Sequence, residues 1–328
     1  MSSVPLAEQG SQGRPADRPP LAARSASNRP RRWRKPAEIA LLLAPALVLY
    51  LAFVLLPVVQ AGYYSLYKWN GIEELTNFVG LDNYRRALTD PVFRGALTHN
   101  GIFVFLSLAI QLPIGLGLAI LLNRKIRGRS ALRLIVFAPY VLSEVVTGVA
   151  WLLILQPDGF MDWLFQKVGL GDAVQLWTGD LDVVLYTLFV VATWKYIGFA
   201  VILFLAGLQG IPAELHEAAR IDGATGWQLI RHITLPLMGP TIRIWIFLSV
   251  IGSLQLFDLV QVMTHGGPAN ASNTMVTYMI DKGFTRYQFG YGSAVAVILF
   301  VISFTFALIY QRFVMRRDTE GAMTRRVG

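Results

Sequence analysis

The sequence of 328 residues contains no cysteine and only four histidines. Without cysteine the chain cannot form disulfides, iron–sulfur clusters, thiolate zinc sites or a thiol nucleophile. The histidines also lack any metal-ligand spacing such as HExxH; they are His99, His216, His232 and His265. We therefore expect neither a metal site nor a cofactor in this chain.

Charged residues are scarce as well. They make up 15% of the chain, whereas an ordinary globular protein carries roughly 25%. Hydrophobic residues account for 54%, and a soluble protein this apolar would expose large aggregation-prone patches. The composition therefore predicts a membrane protein. The net charge of +9 could suggest nucleic-acid binding. The location of the basic residues along the chain distinguishes this from a basic membrane face.

Six stretches are apolar and long enough to cross a membrane as helices, which requires about 20 residues each. They are residues 39–59, 101–122, 134–155, 183–208, 242–263 and 291–315. Local kinks are expected where prolines fall inside them, at Pro45, Pro57, Pro113 and Pro139. The sequence thus predicts an all-α, polytopic membrane protein with six transmembrane helices.

Lysine and arginine are distributed unequally between the two sides of such a bundle. With both termini on one side, that side carries 21 of these residues and the opposite side seven, while Lys195 lies within the fourth span. Such an excess marks the cytoplasmic face, so we expect cytoplasmic termini and no nucleic-acid partner. Residues 1–35, rich in Ser, Pro, Ala and Arg, are predicted to be a disordered basic tail, and residues 311–328 a second cytoplasmic tail.

A dense basic cluster follows the second span. Its members are Arg124, Lys125, Arg127, Arg129 and Arg133. Anionic lipid headgroups are the simplest partner for basic residues beside a membrane. Contact with a partner protein is the alternative.

The segment between the fourth and fifth spans, residues 209–240, has the pattern of a helix–turn–helix. Pro212 suits the first turn of a helix, where its missing N–H costs no hydrogen bond, and Glu214 complements the positive end of the helix dipole. Gly223 predicts the end of this first helix, because glycine readily adopts a left-handed backbone conformation. A second short helix is predicted over residues 225–232.

The same segment carries the motif EAARIDGA, residues 217–224, followed by ITLP at residues 233–236. This pattern resembles the EAA loop of binding-protein-dependent ABC importer permeases. In that family the loop is a coupling helix that docks on the ATP-hydrolysing subunit. The one small departure is Ile230, where the family often has an aromatic residue. The resemblance implies that the ATPase is contacted by Glu217, Ala218, Ala219, Asp222, Gly223 and Ala224.

Further segments resemble the sugar-transporting branch of these permeases. They are residues 78–84, 138–140, 264–268 and 291–294. The resemblance extends from about residue 39 to the C-terminal tail and implies the type I ABC importer transmembrane fold. It also implies a first transmembrane helix with an outer loop in residues 36–96, and a five-helix transmembrane core in residues 97–310.

In function, the resemblance implies a permease subunit that moves a carbohydrate across the bacterial cytoplasmic (inner) membrane. The cargo would be a mono- or oligosaccharide or a polyol derivative. The implied partners are a second, usually different, permease subunit, two ABC ATPase subunits and an extracytoplasmic solute-binding protein. Because the sequence has no GxxxxGK[ST] phosphate loop, we expect ATP hydrolysis from a separate chain and no catalytic residues here.

A few polar residues lie inside the predicted spans, where ionisable groups usually face a bundle interior or an aqueous cavity. Sugars suit a lining of hydrogen-bonding and aromatic groups, so these residues are candidates for the substrate pathway: Glu144, Lys195, Tyr196, Gln255 and Asp258, with Trp194 as a further member. Alternatively, Glu144 and Lys195 pair with each other or with the partner permease. Asp258 could simply lie where water reaches the end of the fifth span.

Other functions stay open at this point. An ABC permease for a non-sugar solute, such as a glycerol-phosphate ester, would have a similar sequence. An ion-coupled secondary transporter would leave the EAA loop unexplained, and we see none of the inverted repeats that are common in such folds. A membrane-embedded enzyme lacks a cluster of histidines, carboxylates or nucleophiles.

Overall fold

The computed structural model describes residues 34–124 and 126–315, with side chains from Ile39 onward. Most of the predicted N-terminal tail, Lys125 and residues 316–328 lie outside these ranges. Within them the chain is helical and has no strand, although Tyr67 and Phe78 form an isolated antiparallel bridge. The described residues contain five helices long and apolar enough to span a membrane, or six if one sharply bent pair counts as a span.

Residues 34–54 form a unit of their own. It consists of α1, Arg34–Tyr50, followed by a π-helical turn that begins at Leu51. Pro45 lies inside α1. The apolar side chains of this unit, such as Leu42 and Phe53, are largely exposed within the chain, as expected of a helix that faces lipid or a partner subunit.

The rest of the described chain, from Leu55, forms the second unit. Its first half contains α2 (Leu56–Tyr64), α3 (Asp82–Thr89), α4 (Pro91–Leu106), α5 (Leu112–Asn123), α6 (Arg129–Val141), α7 (Glu144–Leu155) and α8 (Phe160–Lys167). A 3₁₀ turn at Gly171–Ala173 leads to α9 (Val184–Gln209). Then follow α10 (Ala213–Ile221), α11 (Gly226–Leu229), α12 (Leu235–Leu237), α13 (Gly239–Leu254), α14 (Asp258–Met263), α15 (Met275–Ile280) and α16 (Phe289–Tyr310).

Several π-helical turns interrupt these helices, and three of them end two residues before a proline. They are Leu51–Leu55 before Pro57, Ser107–Gln111 before Pro113, and Ile230–Thr234 before Pro236. Proline lacks an N–H, and its ring clashes with the carbonyl four residues earlier. A wider turn at that place accommodates the ring without ending the helix.

The third predicted span is not one helix. The prediction of a continuous span over residues 134–155 is wrong, because α6 ends at Val141 and α7 begins at Glu144 with a bend of 103° between them. Leu142 and Ser143 are extended, and the Ser143 hydroxyl accepts a hydrogen bond from the Val146 N–H at 3.2 Å. Ser143 is therefore the N-cap of a new helix.

Other spans differ from prediction mainly at their ends. The second span begins at Pro91 rather than near residue 101, and it combines α4 and α5. The first span reaches Tyr64, and the sixth begins at Phe289. The fifth, Gly239–Met263, is interrupted after Leu254, where Gln255–Phe257 separate α13 from α14.

The long helix α9 lies at the centre of the second unit. Its buried side chains, including Leu188, Val201 and Phe204, contribute to two of the hydrophobic clusters. Two glycines allow neighbouring helices to approach closely. A Cβ on Gly198 would lie 2.5 Å from the Val136 carbonyl oxygen in α6, and a Cβ on Gly115 in α5 would lie 2.9 Å from the Ala200 Cβ. The centre of the bundle is thus packed too tightly for larger residues.

Candidate functional site

The first candidate site is the helical segment that follows α9. Its first helix, α10, starts at Ala213 with Pro212 as the N-cap, one residue before the predicted position, and carries Glu214 in its first turn. Gly223 adopts a φ of +83°, and its N–H donates to the Arg220 carbonyl at 3.0 Å. The helix therefore ends at the predicted glycine, in the left-handed conformation that closes many helices.

The predicted second helix is more broken than expected. Instead of one helix over residues 225–232, α11 covers only Gly226–Leu229 and runs into the π-helical turn at Ile230–Thr234. Thr225 and Gln228 form a reciprocal capping box at its start. The wide turn reflects Pro236, which lies two residues beyond it.

One face of this segment is anchored and the other is open. Leu229, Thr234 and Met238 are buried, and His216 is hydrogen-bonded to the Thr234 hydroxyl at 3.2 Å. In contrast, α10 has no buried residue, and Ile221 is 87% exposed. Trp227 is also largely exposed. Exposed large apolar side chains on an anchored helix are typical of a surface that another protein covers.

The motif residues lie on this open segment. Glu217, Ala218, Asp222 and Gly223 are exposed, and Ala219 and Ala224 are partly buried. Small side chains at residues 218 and 219 leave the α10 backbone accessible to a partner. The predicted contact of these residues with an ATPase stays a prediction.

The second candidate site is a cavity of about 370 Å³ inside the second unit. It lies among the helices of the second to fifth spans. Its polar lining consists of Ser107, Gln111, Glu144, Tyr196, Ser249, Ser253, Gln255 and Asp258. Aromatic side chains supply much of the remaining wall: Phe103, Tyr140, Phe189, Phe199, Trp245 and Phe257.

Four of the five predicted pathway residues line this cavity: Glu144, Tyr196, Gln255 and Asp258. Lys195 does not line it, and Trp194 packs instead against Trp151, with ring centroids 5.5 Å apart. The interruption after α13 explains why Gln255 and Asp258 both reach the cavity. Gln255 lies in the break, and Asp258 begins α14.

Lys195 is buried behind the cavity and paired with Glu144. Its ammonium lies 3.7 Å from Glu144 Oε1 and donates to the Leu142 carbonyl at 2.5 Å. The Tyr196 hydroxyl donates to the same Glu144 oxygen. Glu144 and Lys195 thus form the ion pair that was the alternative to a role in the substrate pathway. The pair also joins α9 to the break between α6 and α7.

Sequence reasoning missed a chain of polar side chains that continues from the cavity into the bundle. The Ser107 hydroxyl donates to Gln111 Oε1 at 2.7 Å and is hydrogen-bonded to the Ser249 hydroxyl at 2.6 Å. Gln111 in turn donates to the Thr193 hydroxyl at 3.1 Å. The amide of Gln111 inside an apolar run could have indicated this network, because a buried amide without hydrogen-bond partners is costly.

A second polar network lies at the end of the bundle opposite α10. The Tyr278 hydroxyl donates to Asp90 Oδ2 and lies 2.9 Å from the Tyr291 hydroxyl. Burial raises the pKa of the Asp90 carboxyl. Hydrogen bonds from Tyr278 and from the N–H groups of Val92 and Phe93, together with the positive charge of Lys282, outweigh this effect. The pKa of Asp90 therefore lies below the ordinary value. The network joins the start of α4 to α15 and α16.

Known proteins resemble the chain over most of its length. Residues 111–318 match the family described as binding-protein-dependent transport system inner membrane component. A probable ABC transporter permease of Pyrococcus horikoshii is 37% identical, with 83% of this chain and 94% of the relative aligned. The trehalose/maltose transport system permease protein MalF of Thermococcus litoralis is 32% identical, with 82% and 91% aligned.

A solved structure has the same fold. It is a chain of a bacterial alginate ABC transporter in complex with an alginate pentasaccharide-bound periplasmic protein. The TM-score is 0.76 at 22% identity, and the alignment covers 86% of this chain and 96% of that one. This likeness, together with the family match, confirms the predicted all-α type I ABC importer transmembrane fold.

Proposed function

Because the chain belongs to the family of binding-protein-dependent transport system inner membrane components, we propose that it is the carbohydrate-translocating permease subunit of an ATP-driven importer. The single observation that carries this proposal is α10, an anchored helix whose open side presents the EAA motif and uncovered apolar residues. Such a helix can transmit the movement of a docked ATPase to the bundle. Energy for transport would then come from separate ATPase chains.

The cavity supports a carbohydrate as the cargo. Its hydroxyl, amide and carboxylate groups can exchange hydrogen bonds with sugar hydroxyls, and its aromatic rings can pack against the apolar face of a sugar ring. The relative from Thermococcus litoralis, named for trehalose and maltose, supports the same class of cargo. We therefore assign Glu144, Tyr196, Gln255 and Asp258 to the substrate pathway.

An anionic solute, such as a glycerol-phosphate ester, is the second candidate. The lining described above includes two carboxylates, Glu144 and Asp258, and no lysine or arginine. Lys195, the nearby cation, is already paired with Glu144. Carboxylates repel a phosphate or a uronate, so this half of the pathway favours a neutral carbohydrate. Uptake assays that compare neutral saccharides with a glycerol-phosphate ester separate the two.

The proposed assembly comprises this chain, a second permease subunit, two ABC ATPase subunits and an extracytoplasmic solute-binding protein. We place α10 and both termini in the cytoplasm, because 21 of the basic residues lie on that side. Closure of the ATPase dimer would push on α10, and rigid-body rocking would open the cavity to alternate sides. Residues 97–310 would form the moving core, and residues 36–96 the first helix and outer loop.

A pull-down of the tagged full-length chain in mild detergent tests the proposal. We expect an ATPase and a second permease to co-purify with the wild type. Glu217→Arg, which reverses an exposed charge on α10, should lose the ATPase and keep the permease. The matched control is Glu74→Arg, the same change at an exposed residue distant from α10. If Glu217→Arg retains the ATPase as well as the control does, α10 is not the coupling site.

A further inference from the structure

A second cavity, of about 450 Å³, lies in a groove between α6 and α9. Its residues on α6 fall on one face of the helix: Ser130, Arg133, Leu134, Val136 and Phe137. Its residues on α9 are Gly198, Val201, Ile202, Leu205, Ala206 and Gln209. The groove is separate from the proposed substrate pathway, because the two cavities have no lining residue in common.

The groove begins where α6 and α9 touch and extends toward the end of the bundle that carries α10. The contact point is Gly198, where a Cβ would collide with the Val136 carbonyl. From there the lining runs along α9 to Gln209 and along α6 back to Ser130. A single groove therefore runs from Gly198, inside the bundle, to the surface that bears the basic cluster.

The two ends of the groove differ in chemistry. Near Gly198 its walls are apolar, with Phe137, Val201 and Ile202. At the other end it is polar, with Ser130, Arg133 and Gln209. The lining contains no carboxylate, so the guanidinium of Arg133 is not neutralised within the groove. This arrangement complements an anionic phospholipid, because the apolar walls suit an acyl chain and the guanidinium suits a negatively charged headgroup.

Arg133 has a hydrogen-bonding position left over. Its Nη2 donates to the Leu122 carbonyl at 2.9 Å, which fixes the guanidinium against the end of α5. Its Nε is buried and has no hydrogen-bond partner among the described residues. A buried donor on a charged group is costly when it stays unsatisfied. Arg133 lines the groove, where a phosphate oxygen can give its positive charge a charge-assisted hydrogen bond.

We propose that this groove binds one anionic phospholipid of the surrounding membrane. The phosphate accepts hydrogen bonds from the Arg133 guanidinium where it lines the groove and from the Ser130 hydroxyl, and an acyl chain lies along the apolar walls toward Gly198. The basic residues Arg124, Arg127 and Arg129 precede α6 or begin it and add long-range attraction for an anionic headgroup. The proposal does not depend on the identity of the transported solute.

Lipid retention by the full-length chain, purified in mild detergent with its co-purifying subunits, tests the site. The sample is delipidated, placed in nanodiscs of phosphatidylcholine with a minor fraction of phosphatidylglycerol, and re-extracted. Native mass spectrometry then counts the bound lipids. We expect the wild type to retain phosphatidylglycerol preferentially and Arg133→Gln to retain about tenfold less, since a charge-assisted hydrogen bond is lost.

Two matched variants separate this site from general attraction. Arg129→Gln removes the same charge from the same helix outside the groove lining. Because it weakens only the long-range attraction, it should lose much less lipid than Arg133→Gln. Ala206→Phe fills the apolar part of the groove without a change of charge, and it should reduce retention as Arg133→Gln does. Equal loss in Arg129→Gln would mean non-specific attraction and would overturn the proposal.

Inorganic phosphate is the other ligand that could supply a phosphate group to this site. If inorganic phosphate displaces phosphatidylglycerol while Ala206→Phe retains it normally, the site binds phosphate without an acyl chain, and the proposal is wrong. Arg133→Gln also removes the donor to Leu122, so its folding is checked by size-exclusion chromatography. If it fails that check, Ala206→Phe, which leaves that hydrogen bond intact, decides the question alone.

Discussion

Among single residues, Lys195 is the clearest case of a charge that serves structure. The bend between α6 and α7 leaves the Leu142 carbonyl without a helical partner, and the Lys195 ammonium supplies one. The same ammonium neutralises Glu144, which also accepts from Tyr196. Lys195 therefore holds Glu144 at the cavity wall and stabilises the bend at the same time. The cavity depends on a residue that does not line it.

Lys195→Met should destabilise the chain and disturb the cavity. The variant leaves the Leu142 carbonyl unpaired and Glu144 without its counter-charge. We expect a loss of about 3 kcal/mol, the lower end of the range for a broken buried pair, because the Glu144 side chain is 25% exposed. Thermal unfolding of the detergent-purified protein, followed by tryptophan fluorescence, measures the loss.

The double variant Lys195→Met with Glu144→Gln is the control for this interpretation. Removal of both charges leaves no unpaired carboxylate, so part of the lost stability should return. If the double variant is less stable than Lys195→Met by the full effect of Glu144→Gln alone, the two residues do not interact. The pair would then be a coincidence of position.

Among the elements, the segment from α10 to α12 shows how proline and glycine set the ends and interruptions of helices. Gly223 closes α10 because its backbone reaches a φ of +83° and its N–H caps the Arg220 carbonyl. Gly226, three residues later, is the first residue of α11 and has no atom within 4 Å of its missing Cβ. The two glycines therefore differ in how they tolerate proline.

Gly223→Pro should disrupt α10, whereas Gly226→Pro should be tolerated. Proline fixes φ near −65° and has no N–H, so at residue 223 it removes both the turn and its hydrogen bond. At residue 226 it occupies the first position of a helix, where proline is favoured, after an extended Thr225. We expect only Gly223→Pro to lose the co-purifying ATPase at normal membrane levels of the chain. Equal ATPase recovery from both variants would contradict the role of the α10 cap.

Local chemistry also explains which elements were predictable from the sequence. The spans followed from length and apolarity, and the end of α10 from a single glycine. The break in the third span was predictable only as a local kink near Pro139, since residues 134–155 are apolar on both sides of the 103° bend. Its stabilising partner, Lys195, comes from a different helix. The early start of α4 was not predictable either, because polar Asn100 interrupts the apolar pattern. Asn100 is buried, and its hydrogen-bond partners, Ser253 and Met275, also come from other parts of the chain.

The cavity itself was predictable only in part. Four of its lining residues were identified because ionisable and amide groups are rare in spans. Ser107, Ser249 and the aromatic walls were not, because serine and phenylalanine are common in membrane helices. Their convergence depends on how α4, α9 and α13 pack, which no local pattern in the sequence specifies.

For the whole molecule, the orientation in the membrane is the property that the function depends on most. ATP is available only in the cytoplasm, so α10 can couple to an ATPase only if it lies on that side. The unequal distribution of basic residues predicts this orientation. The opposite end, with the Asp90 network and the segment between α2 and α3, would then face the solute-binding protein.

The absence of cysteine allows a direct test of this orientation, because any introduced thiol is the only one in the chain. Ile221→Cys and Ile72→Cys replace side chains that are 87% and 78% exposed and lie at opposite ends of the second unit. In intact cells, a membrane-impermeant maleimide should label Ile72→Cys and not Ile221→Cys. In inside-out vesicles the pattern should reverse, and bound ATPase should slow the labelling of Ile221→Cys. Labelling of Ile221→Cys from outside would place α10 away from ATP, and an importer coupled through α10 would then be impossible.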